Sequence, residues 1–240
     1  MGYILALCLL CVAYASVMYC MKHMKNTKRW NLVFTATVFV PYVVHGIIVY
    51  LSVGFYDWNF QNLLPTANVS PFMFCLTPLI LLLPKRARGH FHLLISLLTV
   101  GMFFSSVLGC VYNTVIHYKF HIHFVLDYLS HFALSLFGVY LVRSGQAKPA
   151  CRASLHSSAI IFGVAFFMMG LNLIFDTAFF GLSLAGKHNI YNNVLVESSY
   201  LSAGIYLSAL AVVLALGYGY SRICARIKID TDTQLNPKRR

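Results

Sequence analysis

The chain has 240 residues, of which 59% are hydrophobic, 15% are aromatic and only 10% are charged, with a formal net charge of +12. A soluble domain carries roughly a quarter charged residues, so this composition excludes a soluble fold, a disordered chain and a small disulfide scaffold. In such a chain the basic residues report membrane topology before they report nucleic-acid binding. We therefore expect one multi-pass membrane protein whose surroundings are the lipid bilayer, with no nucleic-acid partner.

Seven segments are long and apolar enough to cross a bilayer, which takes about 20 residues. In chain order they lie near 3–21, 31–54, 63–84, 91–113, 121–142, 155–180 and 198–221. The predicted fold class is all-α, a bundle of seven transmembrane helices within residues 1–221. A basic tail follows at 222–240, and we expect it to lie against an anionic leaflet.

The distribution of basic residues predicts an orientation for this bundle. Sixteen of the 18 lysines and arginines follow the first, third, fifth and seventh spans, whereas the opposite loops hold only Lys119 and Lys187. Cytoplasmic loops of membrane proteins carry the excess of positive charge. The sequence therefore predicts an N-terminus that is outside or lumenal and a C-terminal tail in the cytoplasm.

Ionisable side chains inside the spans are costly to insert and mark functional sites by default. They are His45 in the second span, Asp127 and His131 in the fifth, and Asp176 in the sixth. A spacing of four residues puts His123, Asp127 and His131 on one face of the fifth helix. From that position Asp127 would accept a proton from His131, fix its tautomer and raise its basicity.

The third span carries two candidate nucleophiles, Ser70 and Cys75. Either one, paired with His131, would form an acyl-transfer dyad, in which the imidazole removes a proton and the oxygen or sulfur attacks an ester carbonyl. At about 1.5 Å per residue both lie at depths compatible with His131, and Ser70 fits slightly better. Pro71 disfavours helical geometry at the residue before it, so we expect Ser70 to lie near irregular, exposed backbone.

Several short patches resemble a known family. They are Asn113-Thr114, Tyr128-Leu129-Ser130-His131, the run from Val139 to Gly145 and the run from Asn189 to Leu195. Through these patches the chain, from about residue 63 to 195, resembles the YwaF-type integral membrane proteins of bacteria. It is similar also to their eukaryotic relative, transmembrane protein 164, an acyltransferase of phospholipid remodelling.

The resemblance implies a nucleophile early in the third span and a histidine in the fifth. The histidine corresponds to His131. An ungapped alignment puts Ser70 at the position of the family's cysteine, and a shift of five residues would put Cys75 there instead. The bacterial pattern has an acidic residue or a histidine directly after the cysteine, where this chain has Pro71.

The favoured functional interpretation is an enzyme, a lipid acyltransferase or lipid-ester hydrolase that works through an acyl-enzyme without a metal or other cofactor. Its substrate would be a membrane phospholipid or lysophospholipid. Hydrogen bonds to the oxyanion or to the headgroup would come from Asn113, Asn192 or Asn193. Water as the acceptor gives hydrolysis, and a lysophospholipid gives transacylation.

Three alternatives stay open at this point. The first is a transporter or receptor-like bundle in which Asp127, His131 and Asp176 form a proton or substrate path. The second is a zinc hydrolase that uses His45, His123 and His131. The third is a structural membrane protein in which all these groups serve packing.

Overall fold

A computed structural model describes residues 2–54, 64, 68–116, 120–175 and 199–227. These segments are helical and contain no strand, which confirms the predicted all-α class. The helices are α1 (Gly2–Cys20), α2 (Thr27–Val53), α3 (Val69–Ile80), α4 (Lys85–Ile116), α5 (Ile122–Arg143), α6 (Cys151–Phe175) and α7 (Ser199–Cys224), with a 3-10 turn at Met21–His23.

Six of the described helices, all except α3, have an apolar stretch long enough to cross a bilayer. Among these six the lengths range from 19 to 32 residues, whereas α3 has 12. At 1.5 Å per residue α3 is about 18 Å long, against about 30 Å of hydrocarbon. The chain is thus a multi-pass membrane protein, and the helix at the third predicted span is shorter than the sequence indicated.

Polar contacts define both ends of α3. The side-chain oxygen of Asn68 accepts hydrogen bonds from the first backbone N–H of α3, at 2.8 Å, and from the hydroxyl of Tyr206 in α7, at 3.2 Å. At the other end the guanidinium of Arg88 donates to the carbonyl oxygens of Leu81 and Leu83, both at 2.8 Å. Backbone groups left over at a helix end need such partners within a membrane, where water is absent.

Helix α5 is the centre of the described bundle. It contacts α1, α2, α3, α4 and α7, and all its residues from Ser130 to Val142 are buried. Phe137 and Tyr140 pack against Phe34 of α2, with ring centroids 5.5 and 5.2 Å apart. Lipid tails are as apolar as these side chains, so close packing rather than the hydrophobic effect holds the helices together. A polar group on α5 between Ser130 and Val142 is consequently surrounded by protein.

Two serines of α4 set the register in which α4 runs antiparallel to α5. The Ser106 hydroxyl donates to the carbonyl oxygen of Tyr128 at 3.1 Å, and the Ser96 hydroxyl donates to that of Gly138 at 3.0 Å. Both hydroxyls therefore form hydrogen bonds with the backbone of the neighbouring helix. Small and hydroxylated residues are typical of such close helix contacts in membranes.

All lysines and arginines of the described segments lie at one end of the bundle, which we call the basic end. It is formed by the α1–α2, α3–α4 and α5–α6 connections and by the end of α7. Arg143 joins three of these elements, because its guanidinium donates to the carbonyl oxygens of Met18 and Ile227, both at 3.1 Å. Elsewhere the outer surface carries exposed apolar side chains such as Leu51 and Leu108, as expected for helices that face lipid.

Candidate active site

Asp127 and His131 lie one turn apart on α5 and contact each other. Nδ1 of His131 is 2.9 Å from the backbone carbonyl oxygen of Asp127 and 3.6 Å from its carboxylate oxygen. A carbonyl oxygen only accepts hydrogen bonds, which assigns the ring proton to Nδ1 and the lone pair to Nε2. His131 is only 6% exposed, so an imidazole of this tautomer lies inside the bundle.

His45 of α2 brings a second histidine to the same carboxylate. Its Nδ1 is 4.0 Å from the Asp127 carboxylate, whose side chain is 26% exposed. His45 is buried, and its Nδ1 has no hydrogen-bond partner among the described residues. Asp127 therefore lies between imidazoles from two helices, a pairing that the sequence pattern of α5 alone does not reveal.

The third residue of the predicted face, His123, lies one turn before Asp127. Its ring stacks on His45, with centroids 5.5 Å apart, and packs against Phe124 at 4.4 Å. In the described ranges no group of three or more His, Cys, Asp or Glu side chains is arranged to hold a metal ion. The zinc interpretation thus gains no support from these residues.

Phe74 of α3 covers the His131 ring. The two ring centroids are 4.8 Å apart and the rings are nearly perpendicular, at 89°. Phe74 is fully buried, and edge-to-face packing of this kind fixes the orientation of both rings. Phe74 was not predicted as a site residue, although Phe74 lies between the two candidate nucleophiles along α3.

Ser70 lies in the first turn of α3, so the expectation of irregular backbone there was wrong. Pro71 is the third residue of the helix. The first four backbone N–H groups of a helix have no partner within it, so a proline among them removes no helical hydrogen bond. Ser70 consequently has the fixed direction of a helical side chain.

The Ser70 hydroxyl points to α4 and donates to the sulfur of Met102 at 3.6 Å. The antiparallel register of α4 and α5 puts Met102 opposite Phe132, the residue that follows His131. Phe74, which contacts the His131 ring, follows Ser70 by four residues, so Ser70 and His131 lie within about one helical turn of each other along the bundle. No hydrogen bond joins these two described side chains directly.

Cys75 contacts a different helix from Ser70. Its thiol donates to the hydroxyl of Tyr42 in α2 at 3.6 Å, and the Tyr42 ring packs on Phe74 at 5.4 Å. Five residues separate Cys75 from Ser70, a rotation of about 140° around the helix. The two candidate nucleophiles therefore lie on different faces of α3, with Phe74 between them. Tyr42 is a further site residue that was not predicted. Its position one turn before His45 on α2 could have indicated that it belongs to the site.

The proposed hydrogen-bond donors are only partly described. The amide of Asn113 donates to the hydroxyl of Tyr128, which donates in turn to the carbonyl oxygen of Gly109 at 3.1 Å. This chain of hydrogen bonds joins α4 to α5 and engages the Asn113 amide in helix packing. Asn192 and Asn193 lie outside the described residues, as does Asp176 of the proposed proton path.

No family model matches the chain, and comparisons with curated proteins and with solved structures find no match. The fold and the site together define a multi-pass membrane protein in which two buried histidines, His45 and His131, flank the partly exposed Asp127 between α2 and α5.

Proposed function

We propose that this protein is a membrane-embedded enzyme that transfers or hydrolyses the acyl ester of a phospholipid or lysophospholipid. The observation that supports it most directly is the buried His131, whose Nδ1 is hydrogen-bonded to the Asp127 carbonyl. That bond leaves Nε2 as a proton acceptor, within about one helical turn of Ser70 along the bundle. The resemblance of this region to the YwaF-type proteins supports the same chemistry.

In the proposed reaction His131 takes the proton of Ser70 while the Ser70 oxygen attacks the carbonyl carbon of the lipid ester. The tetrahedral intermediate collapses as His131 returns the proton to the departing glycerol oxygen, so a lysophospholipid leaves and the acyl group stays on Ser70. Water or the hydroxyl of a second lysophospholipid then gives its proton to His131 and attacks the carbonyl carbon of the acyl-enzyme. The bond between the acyl group and the Ser70 oxygen breaks as His131 returns the proton to that oxygen, so a fatty acid or a phospholipid leaves and Ser70 is restored. Asp127 stabilises the imidazolium during both steps.

The Ser70 hydroxyl has to turn from Met102 toward His131 for this reaction. Its present contact, 3.6 Å from a thioether sulfur, is weak because sulfur is a poor acceptor. Catalytic hydrogen bonds are often absent before the substrate binds. Cys75 is the alternative nucleophile. Its thiol donates a hydrogen bond to Tyr42, on the α2 side of Phe74. Asn192 and Asn193 remain the proposed donors to the oxyanion or headgroup.

An activity-based probe tests the proposal. Purified full-length protein is treated with a fluorophosphonate, which labels an activated serine, or with a thiol-directed acyl probe, and the modified peptide is identified by mass spectrometry. We expect labelling at Ser70 that His131→Ala abolishes. The matched control is Ser105, an exposed serine of α4, which should stay unlabelled. Labelling at Cys75 would move the nucleophile by five residues, and absence of labelling at both would contradict the enzyme proposal.

One observation favours a second candidate, a proton or substrate path through the bundle. Asp127 lies between His45 and His131, and intramembrane carboxylates flanked by histidines are typical of proton relays. The test is proton uptake into proteoliposomes under an imposed membrane potential. Uptake that Asp127→Asn abolishes, in a protein that neither probe labels, would favour the relay over the enzyme.

A further inference from the structure

An apolar groove between α4, α6 and α7 opens on the outer surface of the bundle. Its volume is about 310 Å³, and its walls include Leu97, Phe162 and Leu214. A second cavity, of about 340 Å³, lies at the basic end beside the first turn of α6 and the end of α7. Its basic side chains are Lys148, Arg222 and Arg226.

The two cavities follow the same faces of the same two helices. On α7, Tyr218 lines the apolar groove, and Arg222, one turn later, lines the basic cavity. On the other side Cys151, the first residue of α6, lines the groove, and the preceding Ala150 lines the basic cavity. The two cavities are thus neighbours along α6 and α7, and we call them together the channel, which is apolar toward the membrane interior and basic at its end.

A buried polar group in the wall of this channel lacks a partner. Ser154 is 6% exposed and lines the groove one turn into α6. Its hydroxyl has no hydrogen-bond partner among the described residues. A buried hydroxyl without a hydrogen bond costs free energy, and Ser154 is therefore a polar position in the otherwise apolar wall of the groove.

The charge of the basic cavity is not balanced by the protein in the part of the chain that is described. Asp127, the only acidic residue there, has its carboxylate 3.6 and 4.0 Å from the histidines of the candidate active site. The first turn of α6 also contains no acidic residue, so its free N–H groups add to the positive potential. An anion is therefore the complementary ligand at this end.

We propose that this channel binds one anionic phospholipid, with the phosphate beside Lys148, Arg222 and Arg226 and one acyl chain in the apolar groove. His131 and Arg143 are 12 residues apart on α5, which is about 18 Å along the axis. The candidate catalytic histidine is near the middle of α5, whereas the phosphate of the bound lipid lies beyond the end of that helix, so this lipid is not its substrate. This binding site does not depend on the acyltransferase proposal.

The experiment measures lipid binding to the purified full-length protein in detergent, with fluorescent phosphatidylglycerol and fluorescent phosphatidylcholine as probes. The test variant combines Lys148→Ala, Arg222→Ala and Arg226→Ala, which remove three exposed side chains. Each basic residue near an anionic lipid contributes about fivefold to affinity, so the variant should bind phosphatidylglycerol at least about tenfold more weakly. Binding of phosphatidylcholine should be weak and unchanged.

A matched variant with Lys25→Ala, Lys28→Ala and Arg29→Ala removes the same charge from another part of the basic end and should keep the affinity. Ala215→Trp, an exposed position in the groove wall, should weaken phosphatidylglycerol binding with all charges present. If the triple variant does not fold, Lys148→Glu alone should also weaken the binding of phosphatidylglycerol. Equal loss in the matched variant, equal binding of both lipids, or equal competition by free glycerol phosphate would overturn the proposal.

Discussion

The backbone carbonyl of Asp127 lies 2.9 Å from Nδ1 of His131, and the carboxylate of the same residue lies 3.6 Å from that nitrogen. Asp127 thus offers His131 two acceptors, a backbone carbonyl and a side-chain carboxylate, and the two have different effects on the imidazole. The carbonyl fixes the tautomer whatever the side chain is, whereas the carboxylate adds a negative charge that stabilises an imidazolium. Substitution of the side chain therefore separates the electrostatic effect of Asp127 from its effect on tautomer.

We expect Asp127→Asn to lower kcat for lipid turnover by about 10- to 100-fold, the value of one hydrogen bond to a charged group. KM should change little, because the charge is needed only when His131 becomes protonated. Initial rates of lysophospholipid release over a range of phosphatidylcholine concentrations give both constants. Asp127→Glu is the control and should keep more activity than Asn. A kcat equal to that of the parent would leave the carbonyl as the only orienting group.

His131→Ala should lower lipid turnover by about 10²–10⁴-fold, the usual contribution of a general base. The matched control is His92→Ala, because His92 of α4 is also buried, at 3% exposure, and packs near Phe137 rather than in the candidate site. Turnover is measured with a fluorescent phospholipid, and size-exclusion chromatography shows whether each variant is folded. Similar losses in both variants would mean that removing any buried histidine is harmful and would contradict the catalytic role.

The sequence predicts the class of fold and one face of the site, because both depend on patterns within single helices. Apolar runs of about 20 residues identify the spans, and the four-residue spacing puts Asp127 beside His131. The approach of His45 to Asp127 could not be predicted, since it depends on how α2 packs against α5. Contacts of the same kind, from Phe74 to His131 and from Tyr42 to Cys75, were missed for the same reason.

The predicted length of the third span was wrong, although local signals in the sequence mark where α3 begins and ends. Asn68 is a good N-cap residue, and its side chain begins the helix there. At the other end Arg88 bonds the carbonyl oxygens of Leu81 and Leu83 and stabilises the chain where it turns before α4. A hydropathy average takes no account of the Asn68 cap or of the turn that Arg88 bonds. The third span predicted from apolar residues alone therefore extended beyond both ends of α3.

Gly138→Val should destabilise the bundle at a close contact between α4 and α5. A Cβ at Gly138 would meet the side chain of Thr99 and the carbonyl oxygen of Ile95, the latter at 2.9 Å. Overpacking of this kind lowers the free energy of unfolding by about 1–3 kcal/mol, which thermal unfolding of the purified protein would report as a lower Tm. Gly163→Val in α6 is the control, because a Cβ there meets nothing within 4 Å. An unchanged Tm for Gly138→Val would mean that α4 and α5 are less closely packed.

The orientation of the bundle is a separate prediction. Because the basic end should face the cytoplasm, an epitope tag after Arg240 should be protected from protease in intact cells. A tag inserted beside Lys187 should be cleaved on the outer or lumenal side. Both tags are assayed with and without membrane permeabilisation, so each serves as the control for the other. Cleavage of the C-terminal tag in sealed membranes would reverse the orientation.

The nucleophile is decided by two substitutions on neighbouring faces of α3. Ser70→Ala should eliminate lipid turnover, because Ser70 lies within about one helical turn of His131 along the bundle and its hydroxyl makes only a weak contact with Met102. Cys75→Ala should keep most of the turnover, because the thiol bonds Tyr42 on the α2 side of the helix. Ser70→Cys should retain part of the activity, since a thiol can replace the attacking hydroxyl.

The same fluorescent-phospholipid assay measures all three variants, and the two alanine variants serve as controls for each other because both remove one heavy atom from α3. If Cys75→Ala is inactive and Ser70→Ala is active, His131 acts with the thiol, and the contact between Cys75 and Tyr42 must open for attack. If both alanine variants turn over lipid as the parent does, neither side chain forms an acyl-enzyme. The arrangement of Asp127 between His45 and His131 would then be better explained by proton transfer through the bundle.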